Sequence, residues 1–216
     1  MLGTVTWYLT RASGVVAYVL LTTSVVFGLV LSTRLHGARP SRPWVLDVHR
    51  MIGGLAVVFT GAHLASLLLD SYVSFDIVDV LLPFASGWNP LAVAAGVIAV
   101  WMLAAVELTS LARSRISNQV WRRVHLLSFG AFVLASLHFA AAGTDAASPV
   151  AIVGLLGVVS TVVMLLGYRL APLVTPGAPQ PQRRGPVPRA QPPGASRAPA
   201  TPPPPPPRRR IPAAQS

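Results

Sequence analysis

Residues 13–32 are twenty consecutive positions without a charged side chain. A helix crossing the hydrocarbon core of a bilayer needs about 20 such residues, so this stretch sharply limits the architectures open to the chain. Comparable stretches recur at 47–70, from 91 to about 111 with Glu107 near its end, at 124–142 and at 149–168. A secretory-signal reading of the first stretch is the weaker one, because a signal core is shorter and a small-residue cleavage site follows it. Only 11% of the 216 residues are charged and 53% are apolar, whereas soluble domains carry about 25% charged residues. The expected fold class is an all-α integral membrane protein, a five-helix transmembrane bundle.

Charge placement orients that bundle. All seventeen basic residues are arginines. Arg34, Arg39, Arg42 and Arg50 fall between or beside spans one and two, Arg113, Arg115, Arg122 and Arg123 between spans three and four, and eight more after span five. Arg11 alone falls on the opposite side, where the loops carry Asp70, Asp76, Asp79 and Asp145. Cytoplasmic loops concentrate Lys and Arg. The expectation is a multi-pass plasma membrane protein with its N-terminus outside and its C-terminus in the cytoplasm. The half-apolar segment 71–84 is expected to lie along the membrane interface.

Residues 172–216 hold sixteen of the twenty-one prolines. Such a segment cannot bury a core and reads as a disordered Pro/Arg-rich tail of polyproline II character. The expected domains are therefore a membrane domain over 1–171 and a cytoplasmic tail over 172–216. Beside the membrane, the basic tail fits anionic lipid; a docking site for a soluble partner is the other reading. Membrane lipid, and not nucleic acid, is the partner these charges imply.

The chemistry-bearing residues are histidines. His49 and His63 lie in the second span, fourteen residues apart, and His125 and His138 in the fourth, thirteen apart. A single intramembrane histidine reads equally as a ligand or as an inter-helix hydrogen-bonder, since ionisable groups in a bilayer are costly and tend to be functional. Two matched pairs are a stronger signal. Spans two and four run in the same direction because one span separates them. His49 is then expected opposite His125, and His63 opposite His138, at depths about 20 Å apart. That arrangement suits two stacked bis-histidine haems. Fourteen residues return to within about 40° of the starting face, but thirteen miss it by about 140°. Tilt, supercoiling or a π-bulge in the fourth span, or different azimuths for the two sites, must absorb the difference. His36, in a loop, reads as a surface residue. The chain has no cysteine, which excludes disulfides, thiolate ligands, iron–sulfur ligation and covalent haem attachment.

The pieces LDVHRMIGG, with His63 fourteen residues after His49, and WRRVHLLSFGAFVLASLHFAAAGTD together resemble the ferric reductase-like transmembrane domain family. That family includes ferric reductases, NADPH oxidases and the haem-binding membrane subunit of a periplasmic methionine sulfoxide reductase. The resemblance covers roughly residues 7–170. It implies two b-type haems, an inner one on His49 and His125 and an outer one on His63 and His138, with electrons moving from inside to outside. Members often have six spans, and this chain corresponds to one without the first. By the same resemblance Arg11, in WYLTRASG, is a partner for a propionate of the outer haem. Arg50, Arg122 and Arg123 stand beside the inner histidines, where a guanidinium fork matches a carboxylate; topology alone explains them equally well. One turn after His63 the oxidases carry another histidine and this chain has Leu67, a departure that argues against superoxide production.

Flavin and nicotinamide domains commonly follow in this family, yet no G-x-G-x-x-G after a strand is present. The electron donor is then expected to be a separate protein or a membrane quinol on the cytoplasmic side. The acceptor is expected to be an extracytoplasmic metal ion or redox protein. The chain reads as an electron-transfer subunit of oxidoreductase type. Two rival classes remain at the sequence level. One is a non-redox scaffold acting through its proline-rich tail, the other a proton-coupled transporter using the histidines as relays.

Overall fold

The computed structural model describes residues 2–33, 41–70 and 74–174. His36, Arg34, Arg39 and the tail from residue 175 onward lie outside the described residues, and with them the expectations of a surface histidine and a disordered tail. The described chain forms seven α-helices: α1 (Leu2–Thr33), α2 (Arg42–Leu69), α3 (Ile77–Leu81), α4 (Pro90–Leu111), α5 (Asn118–His125), α6 (Leu127–Ala142) and α7 (Pro149–Val174). No strand occurs among the described residues. Five helical segments are long and apolar enough to cross a membrane: Thr4–Thr33, Arg42–Leu69, Pro90–Leu111, Asn118–Ala142 and Pro149–Ala171. The protein is a multi-pass, all-α membrane bundle.

The helix starts follow local chemistry. Pro43 and Pro90 occupy first-turn positions, where the missing N–H is unneeded and φ is already helical. Ser117 accepts the Val120 N–H through its hydroxyl, and Ser148 does the same for Ala151, each satisfying a donor that the first turn leaves free. Asp76 and Asp79 form a reciprocal capping box around the start of α3. Trp101 Nε1 donates to the Leu81 carbonyl at 2.9 Å and ties that short helix to α4. The first helix begins well before residue 13, so Arg11 lies within α1 and not in a segment preceding it.

Without a hydrophobic drive between helices in lipid, close packing needs small residues. α1 supplies Thr10, Ser13, Ala17, Leu21, Ser24 and Val25 as one buried stripe and packs most extensively along α2. The second extensive pairing is α4 with α6, where Ala92, Ala94, Val97, Ala131 and Phe132 are buried. α1 also touches α6 and α7, joining the two pairs. The central cluster comprises Leu21, Val25 and Leu29 of α1, Ala56 of α2, Phe132 of α6, and Val162 and Leu165 of α7. Ala56 and Phe132 each stand about midway between the two histidines of their own span, so packed apolar side chains separate the two histidine layers. α2 has no comparable packing against α5 or α6.

The fourth span is not one continuous helix. It breaks at Leu126, directly after His125. Across the break the Phe129 N–H bonds the Leu126 carbonyl three residues back, at 3.2 Å. Such a bond overwinds the chain, and overwinding is the sense required by a thirteen-residue spacing that falls about 140° short of four turns.

Candidate functional site

Two imidazole pairs meet between α2 and the fourth span. The ring centres of His49 and His125 are 6.1 Å apart with their planes at 71°. Those of His63 and His138 are 6.4 Å apart at 73°. Neither pair is in hydrogen-bonding contact. With a metal–imidazole bond of about 2 Å and a ring centre about 1.1 Å beyond the nitrogen, two imidazoles sharing one ion have centres about 6.3 Å apart.

In three of the four rings Nδ1 is engaged, which leaves Nε2 for that role. His63 Nδ1 lies 2.9 Å from the Thr10 carbonyl oxygen, and His138 Nδ1 lies 2.8 Å from that of Ala92. His49 Nδ1 lies 3.0 Å from the Ser24 carbonyl and 3.2 Å from the Ser24 hydroxyl. A carbonyl only accepts, so Nδ1 carries the hydrogen in each case and Nε2 keeps a lone pair. Metal-bound histidines generally donate their second nitrogen in this way. His125 differs: its buried Nδ1 finds no partner among the described residues. Its ring instead stacks on Trp121, with centres 4.8 Å apart, and the Arg113 guanidinium lies over the Trp121 ring at 3.8 Å.

A cavity of about 300 Å³ opens around His63 and His138, lined also by Arg11, Tyr18, Trp88 and Asp145 among others. That volume falls in the range of small-molecule and cofactor sites. Among the described residues no group of three or more His, Asp or Glu side chains is placed to hold a metal ion. Each facing pair offers two imidazole nitrogens, a donor set that would suit the iron of a haem.

The arginines separate by position. Arg11 is ion-paired with Asp145 and stacks on Trp7 at 4.1 Å, with its side chain 26% exposed. It sits on the wall of the His63/His138 cavity. Arg50, in contrast, is 66% exposed beside Asp47, and Arg122 and Arg123 are exposed. These three flank His49 and His125 in sequence. Asp76 and Asp79 are engaged in capping.

Residues 13–136 match the model of the Ferric reductase like transmembrane component. The chain belongs to this ferric reductase-like family. The match takes in His49, His63 and His125 and stops two residues before His138, which is shorter at both ends than the 7–170 expected from sequence. No curated protein and no solved structure matches the chain. The ferric reductase-like family is generally haem-binding, and membership points to electron transfer across the membrane and to redox partners in general.

Sequence reasoning missed the acceptors that seat the histidines. The Thr10 and Ser24 carbonyls are fourteen residues apart on α1, as His63 and His49 are on α2. In an antiparallel helix pair that equality is the signal to look for.

Proposed function

We propose that this protein carries electrons across the plasma membrane through two b-type haems. His49 and His125 would hold the inner haem, and His63 and His138 the outer. The observation that carries this reading is the pair of imidazole couples with ring centres 6.1 and 6.4 Å apart. Haem, when bound, supplies a one-electron couple at each site.

The chain's own residues supply position and insulation. Carbonyls of α1 and α4 hold three imidazoles by Nδ1, which leaves the Nε2 lone pair of each available. The apolar cluster around Ala56 and Phe132 keeps water from the interval between the layers. Arg11, at the cavity wall, offers a guanidinium to a propionate of the outer haem, with Asp145 and Trp7 holding it in place. Arg50, Arg122 and Arg123 supply positive charge on the inner side. The N-terminus lies outside and the C-terminus in the cytoplasm, so the donor is a separate protein or quinol at the cytoplasmic face. The acceptor is an extracytoplasmic metal ion or redox protein. Residues 1–171 form the haem-binding domain, and 172–216 a cytoplasmic tail without a ligand role.

The test is the absorption spectrum of the full chain purified from membranes. Two reducible low-spin haems per chain are expected. A protein purified intact with no haem would remove this reading and leave the scaffold and transporter classes standing.

A further inference from the structure

Three of the four histidines are seated by one repeated arrangement. The Thr10 carbonyl accepts from His63, and Gly14 follows four residues later. The Ser24 carbonyl accepts from His49, and Gly28 follows four residues later. The Ala92 carbonyl accepts from His138, and Gly96 follows four residues later. A helical carbonyl already accepts the N–H four residues ahead. The side chain at that position stands over the flank from which a second donor must approach.

The clearances show what glycine does there. A Cβ on Gly14 would lie 2.9 Å from His63 Nδ1, and one on Gly96 would lie 2.8 Å from His138 Nδ1. Both are closer than non-bonded carbon and nitrogen tolerate, and each obstruction falls on the nitrogen that makes the bond. At Gly28 the nearest atom is His49 Cε1, at 3.4 Å, an ordinary contact. Gly54 and Gly61 on α2 would meet nothing within 4 Å.

We propose that Gly14 and Gly96 are positioning residues that fix the two outer imidazoles. Each notch lets the ring reach its carbonyl, and the carbonyl bond then sets the ring's azimuth and leaves Nε2 with a free lone pair. In the inner layer a Cβ on Gly28 would make only ordinary contact with His49, and His125 Nδ1 has no carbonyl partner among the described residues. The outer site is therefore preorganised at both imidazoles, and the inner site at His49 alone. This inference rests on the reading of the histidines as axial ligands.

The experiment uses the full chain carrying Gly14→Ala, Gly96→Ala, Gly28→Ala, Gly54→Ala or Gly61→Ala, with haem-to-protein ratio and low-spin electron paramagnetic resonance as readouts. Signals are assigned to the two sites by comparison with His49→Ala and His63→Ala. Gly14→Ala and Gly96→Ala should each lose about one haem of two, or shift the outer signal alone. Gly28→Ala should keep both haems, and Gly54→Ala and Gly61→Ala should behave as wild type. Two haems with an unshifted outer signal in Gly14→Ala and Gly96→Ala would overturn the proposal.

A second measurement covers variants that fold poorly and needs no haem. In protein prepared from haem-limited cells, Gly14→Ala should lower the thermal midpoint of the wild-type chain. In a His63→Ala background it should leave the midpoint unchanged or raise it, because the obstructed ring is gone. An equal drop in both backgrounds also overturns the proposal. A wild-type chain without haem would count against the electron-transfer reading instead, and the haem-free cycle would still decide whether Gly14 seats His63.

Discussion

His125 has different surroundings from the other three histidines, and the difference bears on how each site responds to mutation. Each low-spin iron needs both of its imidazoles, so removing either ligand of a pair should release the same haem. His63→Ala and His138→Ala should share one defect: about one haem left per chain and no transfer to external acceptors. His49→Ala and His125→Ala should share another, with the outer haem retained and cut off from its donor. Haem-to-protein ratios and reduced spectra of the four variants check this, and a grouping of His49 with His138 would contradict the pairing. The four histidines were legible in sequence because imidazoles are rare in spans and these fall in matched pairs. Their seats were not. Whether Thr10 and Ser24 matter depends on the register of α1 against α2, which composition does not set. Nor was the partner of Arg11 legible, since Asp145 lies 134 positions away in a loop between α6 and α7.

At the scale of elements, the break at Leu126 sets His125 against His138. α6 is held along α4, whereas α5 is a helix of eight residues. Inserting one alanine after Leu126 adds about 100° and 1.5 Å between the two histidines. The heavier packing should keep α6 and His138 in place, so the inner site takes the displacement. The insertion should therefore lose the inner haem and keep the outer, while the same insertion after Ser148, outside the ligand interval, should retain both. Two haems in the Leu126 insertion, by haem-to-protein ratio, would mean that the break absorbs register freely. The five spans were legible from length and hydropathy, because a bilayer leaves few alternatives to a helix of about 20 apolar residues. A distortion of the fourth span was legible from the thirteen-residue spacing, but its place and its 3₁₀-like sense were not, since Leu126 is neither Gly nor Pro and no local rule marks it. It follows from a requirement between helices, the need to present two histidines thirteen residues apart to partners on α2.

For the whole molecule, the direction of electron flow depends on which face is inside. Sixteen of seventeen arginines fall to one side of the five spans, and each contributes roughly 1 kcal/mol of attraction to an anionic cytoplasmic leaflet when close to it. Arg11, the exception, does not weigh against this count. It stacks on Trp7 and pairs with Asp145 of the α6–α7 loop, so a carboxylate of the chain itself answers its charge. The acids on the opposite side add little, because the orientation rule counts Lys and Arg more than net charge. A reporter fused after Ser216 should therefore be active in the cytoplasm, and one inserted at Ser74, an exposed position between α2 and α3, should be active outside. The reverse pattern would exchange the inner and outer sites and place the preorganised His63/His138 pair on the donor side, with the pairing of the histidines untouched.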